Sequence, residues 1–232
     1  MPLYLFACIR YTSLAWVRDM AIIAISGRKG GIGKTTIAAN LAAEMVALGR
    51  AVTVFDADPQ GSLVAWAGLG NGVLATIVRP VDANNPARFR AAVQEAASTA
   101  ERVIIDTPPG FTDPALLAGL LADLMLLPAG PSSLDIMAAR DAIELGHQAR
   151  KERGNGKPGL RLVPSKVNNT RLGTELPSSL RELGEQVLPA IGQRAAVAEA
   201  ALTGLTVREF ARTSRAAEEF AALAKAIERT LR

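Results

Sequence analysis

Six short aliphatic runs recur along the chain, and stretches with helical spacing separate them. The runs span residues 21–26, 51–56, 102–106, 124–128, 160–165 and 186–189. Continuous apolar runs of this length are typical of strands that are buried on both faces of a sheet. The helical stretches span residues 34–48, 88–99, 114–121, 134–153, 174–183 and 215–232.

This alternation predicts an α/β fold: a doubly wound, mostly parallel sheet with helices on both faces. Ligands of such folds bind at the carboxyl ends of the strands. The glycine-rich segment 154–159 is interpreted as a loop, so residues 20–232 form one predicted domain. Met20 stands directly before the first strand, and we interpret residues 1–19 as a non-native or disordered N-terminal extension. A weak secretory signal is the alternative, although no small-residue cleavage site follows it.

Composition narrows the class of protein. A single cysteine, Cys8, excludes a disulfide framework or a cysteine-based metal cluster within one chain, and it fits a reducing cytoplasm. A single histidine, His147, argues against a histidine metal site or a catalytic triad. Since no apolar run reaches the ~18 residues that a membrane helix needs, we expect no stable membrane insertion.

A glycine-rich loop, GRKGGIGKTT at residues 27–36, joins the first predicted strand to the first predicted helix. It fits the phosphate-binding pattern G-x-x-x-x-G-K-[ST] except at the first glycine, which is Arg28. Such loops hold phosphates with backbone N–H groups and the helix dipole. Lys34 is predicted to reach the β- and γ-phosphates of ATP, and Thr35 to ligate Mg²⁺. The candidate nucleotide-binding residues are Gly30, Gly31, Ile32, Gly33, Lys34, Thr35 and Thr36.

Three aspartates follow the second and third predicted strands, beside the predicted phosphate loop. Asp106 is the candidate Mg²⁺ ligand, and Asp56 is expected to support the metal shell. Asp58 is the candidate for orienting the attacking water. Each of them has an alternative role as a helix cap or turn residue.

The motifs KGGIGKTT, DADPQGS and VIIDTPPG resemble the deviant Walker A, A′ and B motifs of the ParA/MinD ATPases. The segment DPQGSLVAWA, which ends just after Trp66, resembles the short, ParF-like (type Ib) plasmid partition proteins in particular. The resemblance runs from about Met20 onwards and implies a P-loop ATPase with weak basal activity. It also implies that Lys29 is the signature lysine, which reaches the partner's phosphates in an ATP-bound homodimer. A solvated loop lysine is the alternative.

Two further segments near the predicted nucleotide site can be compared with the family. Many relatives contact adenine through an asparagine after the fifth strand, whereas residues 165–168 here read Ser-Lys-Val-Asn, so the adenine contacts stay unassigned. The segment 131–135 is expected to cap a helix near the dimer interface, with Ser132 or Ser133 as the N-cap.

Positive charge is concentrated late in the chain. Residues 1–139 carry 10 Lys/Arg and 11 Asp/Glu, whereas residues 140–232 carry 16 and 11. A basic second half favours a polyanion partner, although a solvated helical surface is the alternative. The family resemblance implies non-specific DNA binding through Arg215 and Arg194, which Lys166 and Arg171 would join.

The expected function is therefore DNA segregation or positioning by an ATP-dependent dimer that is cytoplasmic and nucleoid-associated. A ParB/ParG-like centromere-binding protein or a cargo adaptor would stimulate hydrolysis. One alternative is positioning of a protein cargo, either a chemoreceptor cluster or a microcompartment. A MinD-like membrane-associated ATPase is another, although the alanine-rich segment 220–232 is typical of a packed helix. A small-molecule ligase such as a biotin-pathway synthetase is a further alternative, although it would share the phosphate loop with this chain but not the segment 131–135 or the basic second half.

Overall fold

A computed structural model of the chain describes residues 19–110 and 112–232, so residues 1–18 of the predicted extension lie outside the described part. Within it, seven parallel strands form one sheet in the order β3-β2-β4-β1-β5-β6-β7. The strands are β1 (Ala21–Ile25), β2 (Val52–Asp56), β3 (Val78–Pro80), β4 (Arg102–Asp106), β5 (Leu124–Ala129), β6 (Gly159–Pro164) and β7 (Gln186–Val187). The predicted fold class is confirmed.

Ten helices in the described residues connect and cover these strands. They are α1 (Lys34–Ala47), α2 (Ser62–Gly68), α3 (Leu74–Ile77), α4 (Pro86–Thr99), α5 (Asp113–Leu121), α6 (Ser133–Arg153), α7 (Arg171–Arg181), α8 (Ala195–Leu202), α9 (Val207–Phe210) and α10 (Arg215–Thr230). The six predicted helices are present with small shifts at their ends. Nothing in this part of the chain is a helix long and apolar enough to cross a membrane.

The sheet separates two apolar layers, because successive side chains of a strand point to opposite faces. Ile23 and Ile25 of β1 pack with α1 and α10 on one face. Ile22 and Ala24 pack with α5 and α6 on the other face. Since β1 lies between β4 and β5, the chain reverses its direction of winding there. A ligand crevice is expected at the carboxyl end of β1.

An ionic cluster lies at the opposite, amino end of the sheet. Arg102, the first residue of β4, is fully buried and donates two hydrogen bonds of 2.7 and 2.8 Å to the carboxylate of Glu228 on α10. Arg50 and Asp19 complete the cluster. Removing one partner of such a buried pair leaves an uncompensated charge, which is strongly destabilising. The cluster therefore fixes the end of α10 to the sheet.

Candidate functional site

The loop between β1 and α1 adopts the backbone geometry of a phosphate cradle. Gly31 and Gly33 have φ angles of 73° and 98°, in the left-handed region that favours glycine. Gly33 is the N-cap of α1 and provides no side-chain cap. The first N–H groups of the helix thus face the crevice at the positive end of the helix dipole, an arrangement suited to an anion.

Lys34 and Thr35 connect this loop to the neighbouring strand. Lys34 is buried, and its Nζ donates a 3.2 Å hydrogen bond to the carbonyl oxygen of Lys29. Burial lowers the pKa of Lys34, and nearby Asp106 and Asp58 oppose this effect. The Thr35 hydroxyl donates a 2.7 Å hydrogen bond to Oδ2 of Asp106 at the end of β4. The structure therefore brings together the predicted lysine, threonine and aspartate.

Asp106 has the properties of a carboxylate that needs a cation. Its Oδ1 is buried and has no hydrogen-bond partner among the described residues. Burial raises the pKa of Asp106 to about 7, and Asp56 and Asp58 add to the increase against the effects of Thr35 and Lys34. A hard divalent cation such as Mg²⁺ prefers oxygen ligands of this kind. No group of three or more His, Cys, Asp or Glu side chains able to hold a metal occurs in the described part.

The other two aspartates are also engaged in local structure. Oδ2 of Asp56 accepts hydrogen bonds of 2.9 and 3.0 Å from the N–H groups of Leu63 and Val64 in α2. Asp56 therefore caps the N-terminus of α2, a helix that the sequence pattern did not predict. Asp58 is half-buried, and its Oδ1 accepts a hydrogen bond from the N–H of Gln60.

Lys29 is held within its own chain by α6. Its Nζ donates a 2.6 Å hydrogen bond to Oδ1 of Asp135, and the Ser132 hydroxyl donates one of 2.6 Å to Oδ2. Although burial raises the pKa of Asp135, the hydrogen bonds from Lys29 and Ser132 lower it below its ordinary value. Ser132 is the N-cap of α6, as predicted. Sequence reasoning missed Asp135 as the partner of Lys29.

A cavity of about 510 Å³ opens beside the phosphate loop. Gly33 and Thr36 of the loop and helix α1 line it, together with the segment 191–195 after β7. Lys166 also lines it and has a φ of 54°, the one positive φ of a non-glycine residue in the described part. Backbone strain of this kind concentrates at functional sites.

The four predicted DNA-binding residues lie at the cavity beside the phosphate loop and on helices α7 and α10. Lys166 and Arg194 line the cavity beside the phosphate loop. Arg215 is 76% exposed and approaches Glu219, which also pairs with Arg194. Arg171 is 87% exposed on α7 and pairs with a glutamate of its own helix. Lys166, Arg171 and Arg215 are exposed and Arg194 is partly exposed, so their contact with DNA stays a prediction.

Comparison with known proteins places this site in a family. Residues 23–207 match the family model described as the CobQ/CobB/MinD/ParA nucleotide binding domain. The chain is 35% identical to the "Maintenance of carboxysome distribution protein A" of Gloeobacter kilaueensis, over 82% of this chain and 84% of the relative. It is 30% identical to the chromosome-partitioning ATPase Soj of Thermus thermophilus, over 88% of this chain and 94% of the relative.

The fold is similar to that of the septum site-determining protein MinD of Pyrococcus horikoshii, solved with Mg-ADP. The TM-score is 0.71 at 20% identity, with 91% of this chain and 97% of that chain covered. Because the identity is low, this likeness concerns the fold alone.

Proposed function

This chain belongs to the CobQ/CobB/MinD/ParA family of nucleotide-binding domains, and on that premise we propose that it is a ParA-like positioning ATPase. Its homodimer closes on ATP, binds DNA without sequence preference, and opens when a partner protein stimulates hydrolysis to ADP and phosphate. The observation that carries the proposal is a second lysine, Lys29, at the rim of a phosphate loop that already contains the buried Lys34.

The residues of the loop divide the binding of ATP between them. The backbone N–H groups of residues 30–36 bind phosphate oxygens, and Lys34 neutralises the β- and γ-phosphates. Thr35 and Asp106 hold Mg²⁺, which adds positive charge where the transferred phosphoryl group develops negative charge. Asp58 orients the attacking water, and Asp56 supports the metal shell while it caps α2.

Lys29 makes dimerisation depend on the nucleotide. Two triphosphates that face each other across an interface repel strongly unless cations neutralise them. Lys29 reaches the partner's phosphates only after it leaves Asp135, which holds it in a single chain. ATP therefore favours the dimer, because Lys29 contacts the partner's phosphates in the dimer and contacts Asp135 in the monomer.

We propose a protein microcompartment as the cargo, ahead of a plasmid. The relative from Gloeobacter kilaueensis is named for the maintenance of carboxysome distribution, and it matches more than four fifths of this chain. The ParF-like resemblance depended on Trp66, which here is buried and donates a 3.1 Å hydrogen bond from Nε1 to the Leu205 carbonyl oxygen. Since packing accounts for this tryptophan, it carries little information about the cargo. Plasmid or chromosome segregation remains the second candidate, supported by the similarity to Soj.

The test is binding to random-sequence duplex DNA in ATP, ADP or no nucleotide, at about 50 and about 200 mM salt. We expect binding that requires ATP, weakens with salt and is lost in Lys29→Ala. Lys151→Ala, which removes an exposed lysine from α6, is the matched control and should bind as the parent does. DNA binding that is equal with ATP, with ADP and without nucleotide, or that persists in Lys29→Ala, would overturn the proposal.

A parallel measurement with anionic lipid vesicles tests the MinD-like alternative. The apolar side of α10 packs against α1, and Phe220, Leu223 and Ile227 are all buried there. A membrane-bound amphipathic helix needs such a side exposed to lipid. We therefore expect no ATP-dependent vesicle binding by α10, and vesicle binding without DNA binding would favour the MinD-like function.

A further inference from the structure

Helix α1, which begins at the phosphate loop, contains two polar side chains that are buried in the core. Asn40 and Glu44 are 2% and 4% exposed, on a helix whose other buried residues are mostly alanine. A buried polar group costs free energy unless it is hydrogen-bonded. Both side chains therefore need partners, and both have one in the short helix α9.

Asn40 and Glu44 hold α9 against α1. Oδ1 of Asn40 accepts a 2.8 Å hydrogen bond from the Val207 N–H, and Nδ2 donates one of 2.9 Å to the carbonyl oxygen of Thr36. One turn further along α1, Oε2 of Glu44 accepts a 3.0 Å hydrogen bond from Nη1 of Arg208. Because Thr36 is one of the candidate nucleotide-binding residues, Asn40 joins the nucleotide site to α9 through two hydrogen bonds.

A second helix from the nucleotide site holds the same part of the chain. Helix α2 is capped by Asp56, one of the three aspartates of the candidate site. Trp66 of α2 donates a 3.1 Å hydrogen bond from Nε1 to the carbonyl oxygen of Leu205. Two helices that begin at the nucleotide site thus bind backbone groups of residues 205 and 207, which lie only two residues apart.

The chain continues from α9 to the exposed arginines. Arg212 and Arg215 follow α9 at exposed positions. Burial raises the pKa of Glu44, whereas Arg208 lowers it. Lys225 of α10 and Arg212 act in the same direction as Arg208. The positive charges that surround this buried carboxylate of α1 therefore come from α9, from α10 and from the connection between them.

We propose that the segment 205–212, which contains α9, couples the nucleotide site to the DNA-contacting surface, and that Asn40 and Trp66 are its positioning residues. ATP can favour one arrangement of this segment only through contacts that ADP does not make, and such contacts lie where α1 and α2 begin. A shift of either helix moves the segment through these hydrogen bonds, and with it Arg212 and Arg215. This inference rests on the proposed function and concerns its regulation.

Dimerisation is the competing explanation for ATP-dependent DNA binding, since it doubles the number of DNA-contacting residues without any movement of α9. The test therefore measures the two events separately in the full chain. Analytical ultracentrifugation measures the dimer, and fluorescence anisotropy measures binding to random-sequence duplex DNA, both at saturating ATP and at saturating ADP. The ratio of the DNA affinities in ATP and in ADP reports the coupling.

Asn40→Ala removes both hydrogen bonds between α9 and Thr36. We expect this variant to dimerise in ATP as the parent does, and the ratio of its DNA affinities to fall about tenfold, which corresponds to about 1.4 kcal/mol. Because coupling is reciprocal, the increase in ATP affinity that DNA causes should shrink by the same factor. Trp66→Phe keeps an aromatic ring, removes the hydrogen bond to Leu205 and should also lower the ratio.

Two controls separate this effect from loss of stability and from local charge. Val93→Ala shortens a buried side chain of α4 in the apolar layer on the other face of the sheet, and should keep the parent's ratio. Glu218→Gln removes one negative charge from an exposed position of α10, and should change DNA affinity equally in ATP and in ADP.

A variant at Asn40 or Trp66 that dimerises and keeps the parent's ratio would overturn the inference. If Asn40→Ala does not fold, the more conservative Trp66→Phe decides by the same criterion. A parent protein whose DNA binding does not require ATP would instead refute the proposed function, so the two failures are distinguishable.

Discussion

Replacing Asp106 with asparagine should stabilise the metal-free protein at alkaline pH. The carboxyl group is buried at the end of β4, one of its oxygens has no hydrogen-bond partner in the described part, and Asp56 and Asp58 lie close enough to repel it. Without a cation, the fold therefore prefers the protonated form. Asparagine keeps the shape of that form and cannot become charged.

The magnitude follows from the raised pKa of Asp106. A rise from 3.8 to about 7 corresponds to about 4 kcal/mol of preference for the protonated group in the fold, at about 1.4 kcal/mol per pKa unit. Because the folded pKa lies above the unfolded one, this stability is fully present below about pH 3.8 and is lost as the pH rises through about 7. Between pH 5 and pH 8, Asp106 should lower the free energy of unfolding by about 2.5 kcal/mol.

Urea denaturation in a chelator at pH 5 and pH 8 measures this difference. Asp106→Asn should exceed the parent by about 1.5 kcal/mol at pH 5 and by about 4 kcal/mol at pH 8, which is a widening of about 2.5 kcal/mol. Glu95→Gln, at an exposed position of α4, is the control for loss of one carboxylate and should retain the parent's pH dependence. Mg²⁺ with ATP should raise the free energy of unfolding of the parent more at pH 8 than at pH 6. The increase should be smaller in Asp106→Asn. An equal change from pH 5 to pH 8 in Asp106→Asn and the parent would refute the reasoning.

Three further substitutions test other contacts. Asp135→Asn should release Lys29 and tighten the ATP-dependent dimer about fivefold, since each of the two subunits gives up a partly exposed ion pair worth about 0.5 kcal/mol; analytical ultracentrifugation measures the dimer affinity. Glu228→Gln should lower the free energy of unfolding by about 3 kcal/mol at neutral pH, because Arg102 loses a charged partner. This loss should shrink below about pH 4.5, as the pKa of Glu228 is lowered in the fold. Arg215→Ala should reduce the salt dependence of DNA binding by about one ion per subunit.

Each of these has a result that would contradict it. A dimer that is no tighter in Asp135→Asn would mean that Lys29 is not restrained by α6. Equal stability of Glu228→Gln and Glu218→Gln in urea would mean that the buried cluster does not stabilise the fold. An unchanged salt slope in Arg215→Ala would exclude this arginine from the DNA surface.

Local patterns predicted the core of the sheet and the phosphate loop. All six predicted strands match the structure to within one or two residues at each end, and the first five are aliphatic runs buried in the sheet. The phosphate loop was predictable because its glycines and lysines follow one another in the chain and do not depend on distant residues to form the motif. The edge strand β3 (Val78–Pro80) was missed because it has three residues, is largely solvent-accessible and ends in proline. The short helices α2, α3, α8 and α9 were also missed.

The contacts that complete the site depend on tertiary structure. Lys29 and Asp135 are 106 residues apart, and no local pattern indicates that they meet. Glu219 follows Glu218 on α10, and its partners lie 25 and 27 residues away in a loop after β7. The predicted DNA-binding role of Arg194 followed from a sequence resemblance and stays a prediction, whereas the packing of its guanidinium group over Gly192 is visible only in the fold.

The two ends of α10 lie at opposite edges of the sheet. Its 16 residues span about 24 Å, from Arg215 near the cavity to Glu228 at the amino end of the sheet. Glu228 ties one end to the fully buried Arg102, and Phe220, Leu223 and Ile227 hold the middle of the helix in the core. The helix therefore joins the two edges of the sheet as a rigid strut, and the position of Glu219 beside the cavity is set by contacts at the amino end of the sheet.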